Sequence, residues 1–238
     1  MIQAHPEAEL HFLERNQTNI DDLRNPDAGS SCCVFFASSL TLLALEMATK
    51  SQPVTSADRM PIMSMNGIWE LLLRSVRYWD AYGTVDGSRA SPTLQQIAQS
   101  RKKAVHITHD EQVCDIMRLE RILFETAPPF AMLVTAVPNS VQKATLVGNT
   151  FCIVVLWSEI VVVDSHAHYS SCPTGAVRAI FRGEARRHAC TRWIWDDAHG
   201  LLQSMRCQRN FVDVTAFHLV LETIDPKLIE VGEEDNLP

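Results

Sequence analysis

Two groups of residues in this sequence have the types and spacing to do chemistry together. The first is Cys32, with Cys33 beside it, directly after the turn-forming run Ala28-Gly29-Ser30-Ser31. A cysteine at the first turn of a helix meets free backbone N–H groups and the positive end of the helix dipole. Both lower a thiol's pKa, and the same N–H groups can stabilise an oxyanion. The second is Val161-Val162-Val163-Asp164-Ser165-His166-Ala167-His168, a hydrophobic strand running into ionisable residues. On a strand, residues two apart share a face and lie about 7 Å apart. Asp164 can then hold the tautomer of His166 and stabilise its imidazolium.

Each group alone has a plain structural reading. Buried cysteines are commonly inert core residues, and Asp and His at a strand end commonly form turns. Together they supply both halves of a nucleophile–base system, with Cys32 as nucleophile, His166 as base and Asp164 as the group that orients it. Two rival readings stay open. Asp164, His166 and His168 are also a donor set that suits zinc, as in barrel-type metal-dependent hydrolases. Such a motif lies on the first strand of a barrel of ~250 residues, and this chain ends at residue 238 with no alternating strand–helix pattern after His168. The other rival is a non-catalytic interaction module.

The elements that would position these residues are legible in outline. Residues 1–29 are polar and turn-rich. A helix is expected from about Cys32 to Thr49, capped by Ser30 or Ser31 and apolar on nearly all sides, hence buried. A second is expected from about Ser64 to Tyr82, with Ile68, Leu71, Leu72, Ser75 and Trp79 at helical spacing. Ser91-Pro92 opens a short helix to Ser100. Thr108 to Glu111 reads as a capping box starting a helix that ends before Pro128-Pro129. Strands then dominate: Phe130–Val137, a hairpin of Thr150–Leu156 with Ile160–Asp164, and Val214–Thr223. A helix is expected over Asp197–Cys207. Helices gathered on one side of an antiparallel sheet make an α+β domain. A buried helix opening at a cysteine and packed on such a sheet is the architecture of papain-like cysteine proteases. The domain is expected over residues 1–229, with 230–238 an acidic tail or linker.

Composition limits the partners. The net charge is −7, which argues against nucleic acid and is compatible with a partner carrying a basic face. No stretch has the length and apolarity of a membrane span. The polar N-terminus lacks a basic-then-apolar signal, so an intracellular protein, or one delivered into cells, is expected. Seven cysteines without CxxC spacing give no disulfide framework. No cofactor is expected.

Asn16-Gln17-Thr18, Ala28-Gly29-Ser30-Ser31-Cys32 and Val163-Asp164-Ser165-His166 come in an order and spacing that resembles one family. It is the ubiquitin-specific cysteine protease domain at the N-terminus of the herpesvirus large tegument protein, with its tegument-like relatives. The resemblance implies that Cys32 attacks the carbonyl, His166 acts as base and then acid, Asp164 orients it, and Gln17 donates to the oxyanion. It implies cleavage of the isopeptide or peptide bond after the C-terminal glycine of ubiquitin, and of a ubiquitin-like modifier as a further substrate. It also implies a cytoplasmic or nuclear location, with the virion tegument and host cell as the setting for a viral member. The double cysteine and His168 depart from the family's pattern. The two glycines that end ubiquitin suit a narrow channel that excludes side chains, and an acidic enzyme suits its basic binding face.

Overall fold

The computed structural model describes residues 8–16, 20, 32–49, 56–82, 94, 98–99, 107–138, 149–166, 176–196 and 217–224. Seven strands form one antiparallel sheet: β1 (Ala8–Phe12), β2 (Ile107–Cys114), β3 (Phe130–Pro138), β4 (Asn149–Val155), β5 (Glu159–Asp164), β6 (Val177–Arg182) and β7 (Phe217–Ile224). Their order across the sheet is β1-β6-β5-β4-β3-β7-β2. The helices are α1 (Cys33–Thr49), α2 (Met65–Tyr82), α3 (Ile116–Glu125) and α4 over residues 186–196.

Helices cover both faces of this sheet, not one. Phe36, Leu40 and Leu45 of α1 and Ile68 and Leu72 of α2 pack with Cys152, Val154, Val161, Val163 and Ile180 of the sheet. Leu119, Ile122 and Leu123 of α3 pack with Ile153, Ile160, Val162 and Phe181 on the opposite face, where Trp193 and Ile194 of α4 join them. This is why β5 reads as a continuous Val/Ile run: all six of its residues are buried, as befits a central strand with both faces covered.

The β4–β5 hairpin, α1 and α2 fall where the sequence places them, and β3 runs one residue beyond its expected end. Four elements depart from expectation. Thr108–Glu111 does not cap a helix but lies within β2, an edge strand paired irregularly with β7. The cap is Asp115, whose side chain accepts from the Arg118 N–H at 2.9 Å and so starts α3. Ala8–Phe12, inside the segment read as turns, pairs with β6 as the other edge strand. Strand β6 itself escaped notice because Arg178 interrupts its apolar pattern. That arginine is nonetheless buried, and its Nη1 donates to the Met63 carbonyl at 2.7 Å. Helix α4 also went unread. The helix expected over Asp197–Cys207 lies outside the described residues. Of the short helix expected up to Ser100, only Leu94, Ala98 and Gln99 are described, all helical. Strand β7 begins at Phe217, and Val214 is not described.

A buried carboxylate fixes the connection between α1 and α2. Glu159 accepts from the Ala57 N–H and, at 2.9 Å, from Arg182 Nε. Arg182 also reaches Glu9 and Asp58. The short 3-10 turn Ala57–Arg59 is thereby tied to the start of β5 and to β6, and the turn Pro61–Met63 is held to β6 by Arg178.

Candidate active site

Helix α1 begins where the sequence suggests, and its first turn gives the two cysteines different surroundings. The Cys32 carbonyl accepts the first helical hydrogen bond, from the Phe36 N–H at 2.9 Å. Cys32 is therefore the N-cap and Cys33 the first helical residue. Successive helical residues point about 100° apart around the axis, so the two thiols face different surroundings. Cys32 is fully buried in the core shared with Phe36 and Leu40. Burial, with the neighbouring Cys33 charge, pushes its thiol well above the usual range.

Cys33 meets different partners. Burial alone would raise its thiol, but a hydrogen bond to His166, the charge of that imidazole and the Thr150 backbone N–H outweigh it. The thiol lies below its ordinary value. Cys33 is thus the thiol seen to interact with His166, whereas the sequence reading takes its neighbour Cys32 as the nucleophile.

The other half of the site forms at the end of β5. Asp164, the last residue of the strand, is 1% exposed. The chain leaves the strand at Ser165 and bends at His166, and the Asp164 carboxylate accepts from His166 twice through Oδ1: from the backbone N–H at 2.9 Å and from ring Nδ1 at 2.5 Å. Strand spacing alone does not bring them together, since β5 stops at Asp164. A local turn does. With Nδ1 held by the carboxylate, Nε2 is the nitrogen left for the Cys33 thiol. Burial works against charge on the imidazole, but Asp164 and Cys33 overcome it and raise its pKa to about 10. Both shifts favour the charged forms, thiolate and imidazolium.

Gln17 and His168 lie outside the described residues. The chain leading to Gln17 does approach the site. Beyond β1, the Leu13 N–H donates to the Ala176 carbonyl at 2.9 Å, and the Ala176 N–H to that of Arg15 at 3.1 Å. Val177, next to Ala176, is the register partner of Asp164. Asn16, buried at this end of the sheet, immediately precedes Gln17. Among the described residues no three His, Cys, Asp or Glu side chains gather as a metal site.

Thr150 is the participant that sequence reasoning missed. It contributes through its backbone, which carries no signal in residue type.

The remaining cysteines of the core are of the inert kind. Burial raises the Cys152 thiol to about 12 and pushes Cys190 higher still. A low thiol thus distinguishes Cys33 from its buried neighbours Cys32, Cys152 and Cys190.

No protein-family model matches the chain, and no curated protein matches its sequence. Among solved structures, the chain is similar to the ubiquitin-specific protease encoded by the murine cytomegalovirus tegument protein M48, solved in complex with a ubiquitin-based suicide substrate. The TM-score is 0.50 at 12% identity, over 91% of this chain and 85% of that one. At that identity the likeness is one of fold: a mixed arrangement of helices and antiparallel sheet shared with a viral ubiquitin-specific protease.

Proposed function

We propose that this chain is a papain-like thiol protease that cleaves the bond after the C-terminal glycine of ubiquitin. The observation that carries the reading is the chain of contacts Cys33–His166–Asp164, with the thiol low and the imidazole high. The fold shared with a protease captured on a ubiquitin-based substrate supports the choice of substrate.

In this reading the Cys33 thiolate adds to the glycine carbonyl. Free N–H groups at the start of α1 face the developing oxyanion, and Gln17, as the family resemblance implies, supplies a further side-chain donor. The His166 imidazolium gives its proton to the departing amine, leaving a thioester. Neutral His166 then takes a proton from water as it attacks the thioester, and the thiolate is released. Asp164 keeps Nδ1 protonated and the ring aligned throughout.

Hydrolysis of ubiquitin bearing a C-terminal fluorogenic amide tests this. The protein should release the fluorophore in EDTA and lose activity to iodoacetamide. Cys33→Ala should fall to background while Cys32→Ala retains most of the rate. A dead Cys32→Ala variant that remains folded, beside an active Cys33→Ala, would return the nucleophile to Cys32. Loss of activity in chelator, restored by zinc, would favour a metal site at Asp164, His166 and His168 instead. Comparison with a ubiquitin-like modifier carrying the same fluorophore reads the breadth of specificity.

A further inference from the structure

Strand β4 runs past its neighbour on the catalytic side. The last β4–β5 pair is Cys152 with Val163, two residues short of Thr150, because β5 ends and the chain turns toward His166. Helix α1, which opens at Cys33, packs against β4, and the Thr150 backbone is among the groups that hold the Cys33 thiol below its ordinary value. On its other side β4 stays paired. Thr150 faces Thr135 of β3 in register, with the two hydroxyl oxygens 2.8 Å apart. Thr150 is 2% exposed. Its backbone is therefore dry, part of the sheet, and held by a cross-strand partner.

Resting on the thiol-protease reading above, we propose that the Thr150 backbone N–H is a second donor to the resting Cys33 thiolate, with Thr135 as the residue that positions it. A charge-assisted hydrogen bond in a dry site stabilises the thiolate directly. Because the sheet fixes the donor beforehand, little reorganisation is needed to use it. The bond acts on the charged sulfur and is relaxed once the thioester removes that charge. Such a donor makes more thiolate available near neutral pH, while each thiolate becomes a somewhat weaker nucleophile.

The test reads the thiol itself. In the full chain, the peptide bond between Asn149 and Thr150 is replaced by an ester, which removes the N–H and keeps the side chain. The pH dependence of iodoacetamide alkylation at Cys33 is then followed by peptide mass spectrometry. The alkylation midpoint should rise by about one to two pH units, and the limiting rate at high pH should not fall. Thr135→Val should raise the same midpoint by less, and Thr135→Ser should return it toward the wild-type value. An unchanged midpoint in the ester chain overturns the role of the N–H. If that chain does not fold, an unchanged midpoint in Thr135→Val overturns the proposal. Alkylation involves no ubiquitin, so a protein inert to ubiquitin with the expected thiol shifts would sink the proposed function and leave this inference standing.

Discussion

At the scale of single residues, the proposed reactivity rests on opposing shifts in two groups that burial alone would keep neutral. The Cys33 thiol is lowered and His166 is raised to about 10, shifts that both favour the ion pair. kcat/KM should fall on the alkaline side near pH 10, where the imidazolium loses its proton. An alkaline fall near the ordinary histidine value would show that Asp164 does not hold the charge. The sign for stability follows the same rule. His166 has a folded value above its unfolded one of about 6.5, so its contribution is complete below that pH and is lost as pH rises through about 10. His166→Ala should lower kcat by about 10²–10⁴, the contribution of one general acid–base group. A variant with near-normal kcat would place the base elsewhere. The Asp164/His166 pair was legible because its two members lie two positions apart, although a bend after β5, not strand alternation, brings them together. The choice between adjacent cysteines was not. Helix α1 is apolar on all sides, so its periodicity gives no outward face, and only the helix start decides which thiol meets the imidazole.

At the scale of elements, the positions of α1 and α2 depend on the short connection between them. Gly67 lies in the first turn of α2, against Pro61 and Ile62. A Cβ there would fall inside contact distance of the Pro61 carbonyl oxygen and lie 2.9 Å from the Ile62 Cα. Gly67→Ala should therefore destabilise the protein despite the better helix propensity of alanine, because backbone cannot yield as a side chain can. A chemical-denaturation midpoint equal to or above that of the wild type would contradict this. Glu159→Ala should strip the Ala57 N–H of its buried acceptor and cost about 1–3 kcal/mol, read from the same denaturation curves; an unchanged midpoint would show that the clamp holds nothing. The sequence offered strong local signals for the β4–β5 hairpin, α1 and α2. It misled where a polar edge strand resembled a helix start, since Thr108 to Glu111 has the residues of a capping box while β7 supplies a ladder that overrides it. Strand β6 hid behind Arg178, whose burial depends on a carbonyl more than a hundred positions earlier, at Met63. No local pattern records such a partner.

At the scale of the whole molecule, the reactive groups come from three separated stretches brought to one end of the sheet: the start of α1, the start of β4 and the end of β5. The two-faced packing makes this possible, because a central β5 buried on both sides delivers Asp164 to a dry position where its field is little screened. The mixture of helices with an antiparallel sheet was readable from the change in texture along the chain, but not the strands β1 and β2 of its first half. The second helical layer was not, because α3 and α4 carry amphipathic patterns that give no sign of which face of the sheet they cover. The measurement that tests the account most directly is reaction of the full chain with ubiquitin carrying a C-terminal electrophile, followed by intact-mass and peptide mapping. The account predicts a single covalent adduct of one ubiquitin on Cys33, abolished by Cys33→Ala and preserved in Cys32→Ala. An adduct mapped to Cys32, or no adduct from a folded protein whose Cys33 still alkylates at neutral pH, would contradict it.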